Sequence, residues 1–332
     1  MLSFRINRCT SGGNWGTTTE KPAPACACSN GRSCSGAVAV TAGMVTTTRV
    51  SAQDQKFTIG VAIPSATHGF MGGLNWHAQQ TIDRLKAAYP NLEFVLATAG
   101  EAGKQVNDIE DMLATRNIDG LVVLPFESEP LTSPVKAVKD AGKWVTVVDR
   151  GLSQEGIEDL YVAGDNVAFG RVAGEYFKAN LPSGAKIVVL RGIPTTLDNE
   201  RVDAFQKAIE GSGIEVLDMQ HGNWNRDDAF TVMQDFLSKY PKIDAVWAAD
   251  DDMAVGVLEA IAQAGRDKEM WVIGGAGMKE IVKRIMDKDP QIPVDVTYPP
   301  ALISAAIEMT ALRFVSDAPV YGRFIIGSTL IT

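Results

Sequence analysis

The feature that most constrains this chain is an alternation of short apolar runs with amphipathic segments, and it occurs twice along the sequence. Continuous apolar runs are typical of strands that are buried on both faces of a parallel sheet. The first set predicts strands at 56–63, 92–99, 120–126 and 144–149 and helices at 70–88, 103–116 and 131–141. The second set predicts strands at 186–192, 214–219, 244–250 and 270–275 and helices at 166–179, 199–210, 226–239, 252–264 and 278–287. The sequence therefore predicts an α/β protein with two doubly wound, Rossmann-like parallel-sheet domains.

Three further segments end the chain: an extended run at 293–300, a helix at 301–315 and a strand at 322–330. They are too short for a third domain, so we place the helix back on the first domain and let the last strand complete a sheet edge. The chain then crosses between the domains three times, which makes a hinge and allows closure in a Venus-flytrap arrangement. The predicted N-terminal lobe is 53–163 plus 300–320, and the predicted C-terminal lobe is 164–299 plus 321–332.

The first 52 residues differ in composition from the rest. They contain all four cysteines, five basic residues and one acidic residue, so the net charge of −9 becomes −13 without them. An apolar run at 36–45 ends near Val50, Ser51 and Ala52, small residues of the kind that signal peptidases recognise. We expect residues 1–52 to be a signal peptide; a disordered extension or a misassigned start codon is the alternative. The cysteines lack a second ligand pair, so we interpret them as incidental rather than as a metal site.

Distinctive side chains gather at the carboxyl ends of the predicted strands, where parallel sheets bind their ligands. The residues found there include His68, Phe70, Met71, Asp149, Arg150, Arg201, Trp224, Asp250, Ala276 and Tyr298, together with Asn75, Trp76, Asp198, Asn199, Asn223, Asn225, Asp251 and Asp252. Sugar hydroxyls both donate and accept, so carboxylates and arginines suit them, while the C–H faces of a sugar stack on aromatic rings. This set favours a sugar as the ligand. The acidic net charge argues against nucleic acid as a partner.

Five stretches carry a resemblance to a known family: KFTIGVAIPSATHGFMGG, QVNDIEDMLATRNIDGLVVLP, VTVVDRG, DNERVDAFQKAI and DAVWAADDDMAVGVLEAI. With them, nearly all of residues 56–332 resembles the periplasmic sugar-binding proteins of the ribose/galactose type, which deliver monosaccharides to ABC transporters. The resemblance implies the type I periplasmic binding fold, a sugar or polyol ligand and an ABC transporter permease as partner, with a chemoreceptor as a further candidate partner. It also implies a location in the periplasm of a Gram-negative cell.

The resemblance implies a role for each candidate of the first domain. Phe70 takes a sugar-stacking position, and Met71 replaces the second aromatic residue that is common there. His68 takes a polar contact position. Asp149 and Arg150 match the pair at the floor of the pocket; a surface ion pair is the alternative for these two residues.

In the second domain, the resemblance matches Arg201 to the family's arginine, Trp224 to the opposing aromatic residue and Asp250 to the usual Asn or Asp contact. Two residues depart from the family pattern. Ala276 stands where an Asp is usual, and Tyr298 stands where a Gln is common. Both departures leave the identity of the sugar open.

Catalytic motifs of the serine-hydrolase, zinc-protease and P-loop types are absent from the sequence, and we expect no enzyme activity. Asp149 and Asp250 leave a glycosidase open on composition alone. However, an arginine beside a carboxylate favours its ionised form, which suits hydrogen-bond acceptance better than acid catalysis. Asp251 stands at a predicted helix start and is expected to be its N-cap.

The main hypothesis is a monomeric, cofactor-free, extracytoplasmic solute-binding protein that serves an ABC importer. The alternative is a sensor that binds a sugar-derived signal molecule and passes the complex to a membrane receptor.

Overall fold

The computed structural model describes residues 55–316, 318 and 320–332, so the predicted leader lies outside the described part of the chain. The strands are β1 (Phe57–Pro64), β2 (Leu92–Ala99), β3 (Gly120–Val123), β4 (Trp144–Val148), β5 (Leu160–Gly164), β6 (Lys186–Arg191), β7 (Glu215–His221), β8 (Ala245–Ala248), β9 (Trp271–Ile273), β10 (Asp295–Val296), β11 (Gly322–Ile326) and β12 (Leu330–Ile331). The helices are α1 (Gly69–Ala88), α2 (Ala102–Ala114), α3 (Ser128–Asp140), α4 (Asn166–Asn180), α5 (Thr196–Ile209), α6 (Arg226–Lys239), α7 (Asp251–Gln263), α8 (Lys279–Met286) and α9 (Leu302–Val315).

Two parallel sheets organise these elements. The first has six strands in the order β11-β5-β4-β3-β1-β2, and the second has four in the order β7-β6-β8-β9. Every residue of β3, β4 and β8 is buried, because helices cover both faces of each sheet. The predicted fold class, α/β with two doubly wound parallel sheets, is confirmed.

The end of the chain returns to the first sheet. Helix α9 packs on β3, β4 and β5, and β11 pairs in parallel with β5 from Gly322 beside Leu160 to Ile326 beside Gly164. The predicted assignment of 321–332 to the C-terminal lobe is therefore wrong for β11, because its backbone hydrogen bonds extend the edge of the six-stranded sheet. Strand β12 pairs antiparallel with β10 instead.

Three segments connect the six-stranded sheet to the part of the chain that holds the four-stranded sheet and the separate β10–β12 pair. The chain passes from β5 to α4 at 164–166, from β10 to α9 at 297–301 and from β11 to β12 at 327–329. This is the number of crossings that the sequence predicts, and the three connecting segments together form a hinge. None of the helices in the described ranges has the length and apolar character needed to cross a bilayer.

Glycines bring α4 and α5 into close contact. A Cβ on Gly170 would lie 1.9 Å from the carbonyl oxygen of Arg201, and a Cβ on Gly174 would lie 2.7 Å from Cβ of Ala208. The absence of both Cβ atoms lets the two helix backbones approach each other. Since Arg201 belongs to α5, this packing fixes the position of Arg201 relative to α4.

Candidate functional site

One cavity at the carboxyl ends of the two sheets brings all ten predicted binding residues together. It encloses about 350 Å³ of space, including the solvent at its mouth, and one more residue, Leu197, completes its wall. The wall residues are His68, Phe70, Met71, Asp149, Arg150, Leu197, Arg201, Trp224, Asp250, Ala276 and Tyr298. The structure therefore confirms that these positions share one cleft, to which both sheets and one crossing contribute. Their role in ligand binding stays a prediction.

Asp149 is held in place by two tyrosines. It follows β4 with φ of +60°, a left-handed conformation that Asp tolerates better than most residues. The hydroxyl of Tyr298 donates to Oδ1 of Asp149 at 2.5 Å, and the hydroxyl of Tyr161 donates to its carbonyl oxygen at 2.6 Å. Burial is the main cause of the raised pKa of Tyr298. The phenol therefore stays protonated and can act as a hydrogen-bond donor. Within the described residues, Oδ2 of Asp149 accepts no hydrogen bond and is available to a ligand.

The guanidinium of Arg201 packs against two aromatic rings that are nearly perpendicular to each other. Its carbon atom Cζ is 4.0 Å from the centroid of Phe169 and 4.4 Å from that of Tyr298. Its Nε donates to Oδ1 of Asn166 and its Nη1 donates to the carbonyl oxygen of Ala249, both at 2.9 Å. These hydrogen bonds and ring contacts fix the orientation of the Arg201 side chain. Nη2 has no partner among the described residues, so its N–H groups can donate to a ligand oxygen.

Arg150 approaches the cavity from the first sheet. Its Nη1 donates to the carbonyl oxygen of Phe126 at 2.6 Å, and its guanidinium lies 5.4 Å from the ring centroid of Trp224. Burial lowers the pKa of the guanidinium, which stays charged because its ordinary value is so high. Trp224 itself has φ of +51°, and its indole packs on Gly192, where a Cβ would lie 2.0 Å from the ring.

His68 and Phe70 of the first lobe form an aromatic wall together with Tyr298 of a crossing segment. The ring of His68 stacks 6.4 Å from that of Phe70, and Phe70 lies 5.7 Å from Tyr298. Met71 is the first buried residue of α1, and it also lines the cavity. Burial outweighs the attraction of Asp252 and lowers the pKa of His68, which favours a neutral ring at neutral pH.

Asp250 has two functions in the structure. It is the N-cap of α7, where its Oδ1 accepts from the backbone N–H of Met253 at 3.2 Å, and it also lines the cavity. Burial, followed by the carboxylates of Asp251 and Asp252, raises its pKa to about 8. The predicted N-cap role of Asp251 is wrong, because the helix begins one residue earlier than that role requires.

Asp251 instead fixes the loop that carries Ala276. Its two carboxylate oxygens accept from the backbone N–H groups of Gly275 and Met278 at 2.7 and 2.6 Å. Asp295 supports the same loop by accepting from N–H of Gly277 at 3.0 Å. Ala276 has φ of +118°, a strained value for a residue with a Cβ, so the loop depends on these hydrogen bonds.

One group of side chains has the composition of a metal site. His68, Asp250 and Asp252 offer one ligand atom each, all within 4.8 Å of one another. However, Asp252 already accepts from N–H of Gly69 and faces Arg226, while Asp250 accepts from Met253. Both carboxylates already have partners of their own, and we assign no metal to the group.

Sequence reasoning missed several residues that shape the site. Leu197 lies in the first turn of α5 and Asn166 in the first turn of α4, where nothing in the local sequence separates a wall residue from an ordinary helical one. Tyr161 lies on β5, a strand that the sequence analysis did not identify. Asp252 was not chosen as a binding residue, although it follows the end of the same predicted strand as Asp250.

The chain resembles known proteins over most of its length. Residues 59–315 match the family model described as periplasmic binding protein domain. The ribose import binding protein RbsB of Bacillus subtilis is 31% identical over 255 residues, covering 76% of this chain and 80% of that protein. Among solved structures, an ABC transporter solute-binding protein from Mycobacterium smegmatis with bound glycerol is 29% identical, with a TM-score of 0.74 and coverage of 83% of this chain and 93% of that one. The Caulobacter myo-inositol binding protein, bound to myo-inositol, is 26% identical, with a TM-score of 0.75 and coverage of 86% and 94%.

Proposed function

The chain belongs to the periplasmic binding protein family, and from this premise we propose that it holds a monosaccharide or related polyol in the cavity between its lobes and delivers it to an ABC importer. The observation that carries the proposal is the composition of the cavity wall. Oriented carboxylates, two anchored arginines and aromatic rings from both lobes surround one small space. Relatives that bind ribose, glycerol and myo-inositol support the same ligand class.

The proposed binding mode gives each wall residue a task. Oδ2 of Asp149 accepts a hydrogen bond from a ligand hydroxyl, and the carboxyl of Asp250, whose pKa is raised to about 8, can also donate one while it is protonated. The free donors of Arg150 and Arg201 serve the hydroxyl oxygens. Each hydrogen bond to a charged group contributes about 1.5–3 kcal/mol. The rings of Phe70 and its neighbours cover an apolar C–H face of the sugar.

Contacts to both lobes couple binding to closure. Asp149 and Arg150 follow β4 of the first sheet, whereas Arg201 and Asp250 belong to helices of the second. A ligand that bridges both sets binds the closed arrangement more tightly than the open one, so it shifts the population toward closure. In this proposal, the importer recognises the closed form.

We propose that the lobes are 53–163 plus 300–326 and 164–299 plus 327–332, which adjusts the predicted bounds for the position of β11. We also propose an extracytoplasmic location, in keeping with the family, and binding without catalysis. The last point follows the family, since similar proteins are named as import binding and solute-binding proteins.

Isothermal titration calorimetry tests the proposal. Purified protein is titrated with a panel that includes D-ribose, myo-inositol and glycerol, alongside the variant Arg201→Met. The matched control is Arg171→Met, since Arg171 is an exposed arginine of α4 that pairs with Glu175. We expect heat with at least one sugar or polyol, unchanged in the control and weakened at least tenfold in Arg201→Met. Folded protein that gives no heat with any of a broad panel of monosaccharides and polyols would rule the proposal out.

A further inference from the structure

The first lobe and the second lobe meet at a hydrogen bond outside the ligand cavity. Oδ2 of Asp252, on α7, accepts from the backbone N–H of Gly69, the first residue of α1, at 2.7 Å. The two residues are 183 positions apart and lie on helices that pack against different sheets. Neither of them lines the cavity that holds the predicted binding residues.

Helix α1 has no side-chain cap of its own. Its N-cap residue, His68, makes no side-chain hydrogen bond to the first turn, and that turn contains no acidic residue. The first N–H groups of a helix have no intrahelical partner and carry the positive end of its dipole. The carboxylate of Asp252 supplies both the missing acceptor and the negative charge, from the opposite lobe.

The neighbours of Asp252 hold it ready for this contact. The guanidinium of Arg226 lies 3.5 Å from its Oδ1, and the side chain of Asp252 is only 11% exposed. On the other side, Gly69 leaves room for the carboxylate, because a Cβ there would lie 2.8 Å from Oδ2 of Asp252 and 3.1 Å from Sδ of Met278. The contact therefore needs both the acid at 252 and the missing side chain at 69.

We propose that Asp252 is a positioning residue that caps α1 from the opposite lobe and so holds the lobes closed around the ligand. It acts as a latch: it forms only when the lobes meet, and it slows ligand release without touching the ligand. The inference rests on the proposed function, since it assigns the latch to the closure of that same cavity.

Two glycines of α1 provide the test. Gly69→Ala places a methyl group against Asp252, whereas Gly72→Ala adds one where no atom lies within 4 Å. Both changes replace glycine with Ala near the start of the same helix, and they differ in whether the added methyl group meets another atom. Asp252→Ala removes the acceptor, and Asp252→Asn keeps a capping oxygen while it removes the charge.

The readouts are the dissociation rate of D-ribose or myo-inositol by stopped-flow fluorescence and the radius of gyration by small-angle scattering, with and without these probes. We expect Gly69→Ala and Asp252→Ala to release the probe about tenfold faster or more, Asp252→Asn to be intermediate and Gly72→Ala to match the parent protein. Thermal midpoints without the probe should agree between the two glycine variants, which excludes a general loss of stability.

The two proposals fail differently. If the parent protein binds neither probe, the proposed ligand class is in question. The latch is then tested by small-angle scattering alone, and it requires a larger radius of gyration for Gly69→Ala than for Gly72→Ala. If the parent protein binds a probe but Gly69→Ala and Gly72→Ala release it at the same rate and have the same radius of gyration, the latch is wrong and the binding function stands.

Discussion

Asp149 lines the cavity with one carboxylate oxygen engaged and the other without a partner among the described residues. Tyr298 occupies Oδ1, and this arrangement requires Gly164, where a Cβ would lie 2.1 Å from the tyrosine ring. Because the partner of Oδ1 is buried and protonated, the negative charge of Asp149 is available to a ligand hydroxyl at Oδ2.

Asp149→Asn is expected to weaken binding while it preserves the fold. Asn is nearly isosteric and also tolerates the left-handed backbone conformation, but it lacks the charge. Loss of a charged hydrogen bond predicts an affinity that is roughly 10- to 150-fold lower by calorimetry. Asp235→Asn, at an exposed position of α6, is the matched control and should bind as the parent protein does. Equal affinities for the two variants would contradict the role of Asp149.

The buried pair Asp251 and Asp295 predicts a pH dependence of stability. Burial raises the pKa of both carboxyls, and the charge of Asp295 raises that of Asp251 further. A carboxyl whose pKa is raised in the folded state stabilises the fold while it is protonated, and this contribution is lost as the pH rises through the folded value. The thermal midpoint should therefore be lower at about pH 8.5 than at about pH 5.

Asp295→Asn removes one titrating group of this pair and should flatten the pH dependence by raising the midpoint mainly at the higher pH. Differential scanning calorimetry at the two pH values measures the effect. Asp267→Asn, at an exposed position, should keep the pH profile of the parent protein. If Asp295→Asn lowers the midpoint equally at both pH values, the pair is not a source of the pH dependence.

The sequence identified the wall of the site more fully than its internal contacts. Strand ends are readable from apolar runs, and the carboxyl ends of parallel strands meet at one edge, so Asp149 and Asp250 could be placed together. The caps depend on one residue of helix phase, which is why Asp250, and not Asp251, caps α7 in addition to lining the cavity. The contact of Asp252 with Gly69 depends on how two lobes meet, and no local pattern encodes that.

At the scale of elements, the close approach of α4 to α5 brings Arg201 against the rings of Phe169 and Tyr298. Gly170→Ala is expected to be strongly destabilising, because its Cβ would overlap the carbonyl oxygen of Arg201 and force the helices apart. The expected cost is about 1–3 kcal/mol or more, the range for overpacked sites. Chemical denaturation measures it.

Gly103→Ala is the matched control for this prediction. It also replaces a helical glycine, in α2, but no atom lies within 4 Å of the added Cβ. Because Ala favours a helix over Gly, we expect this variant to be more stable than the parent protein by up to about 1 kcal/mol. Two glycine variants with the same stability would contradict the packing argument.

Most elements could be predicted from periodicity. Strand β2 and helix α6 have the predicted bounds, and the other helices differ by three residues or fewer at each end. Strand β5, at 160–164, was missed because a five-residue apolar run directly before a helix is hard to separate from that helix. The predicted strand at 322–330 is two strands, β11 and β12, and the chain leaves the first sheet between them at 327–329.

At the scale of the whole molecule, three connections join two lobes whose facing edges share one cavity. The described residues make contacts across the cleft both in the cavity wall and at the latch between Asp252 and Gly69. Ligand binding and lobe closure are therefore expected to be a single coupled equilibrium, in which the ligand favours the closed arrangement by the difference between its affinities for the two forms.

Native mass spectrometry tests the central claim, that one sugar or polyol occupies this cavity, most directly. The purified chain is measured alone and after addition of D-ribose, myo-inositol, glycerol and further monosaccharides, beside Asp149→Asn and its control Asp235→Asn. We predict one bound molecule per chain with at least one of these compounds, retained in the control and reduced or lost in Asp149→Asn. No adduct with any sugar or polyol, or an adduct equally abundant in Asp149→Asn and Asp235→Asn, would contradict the account.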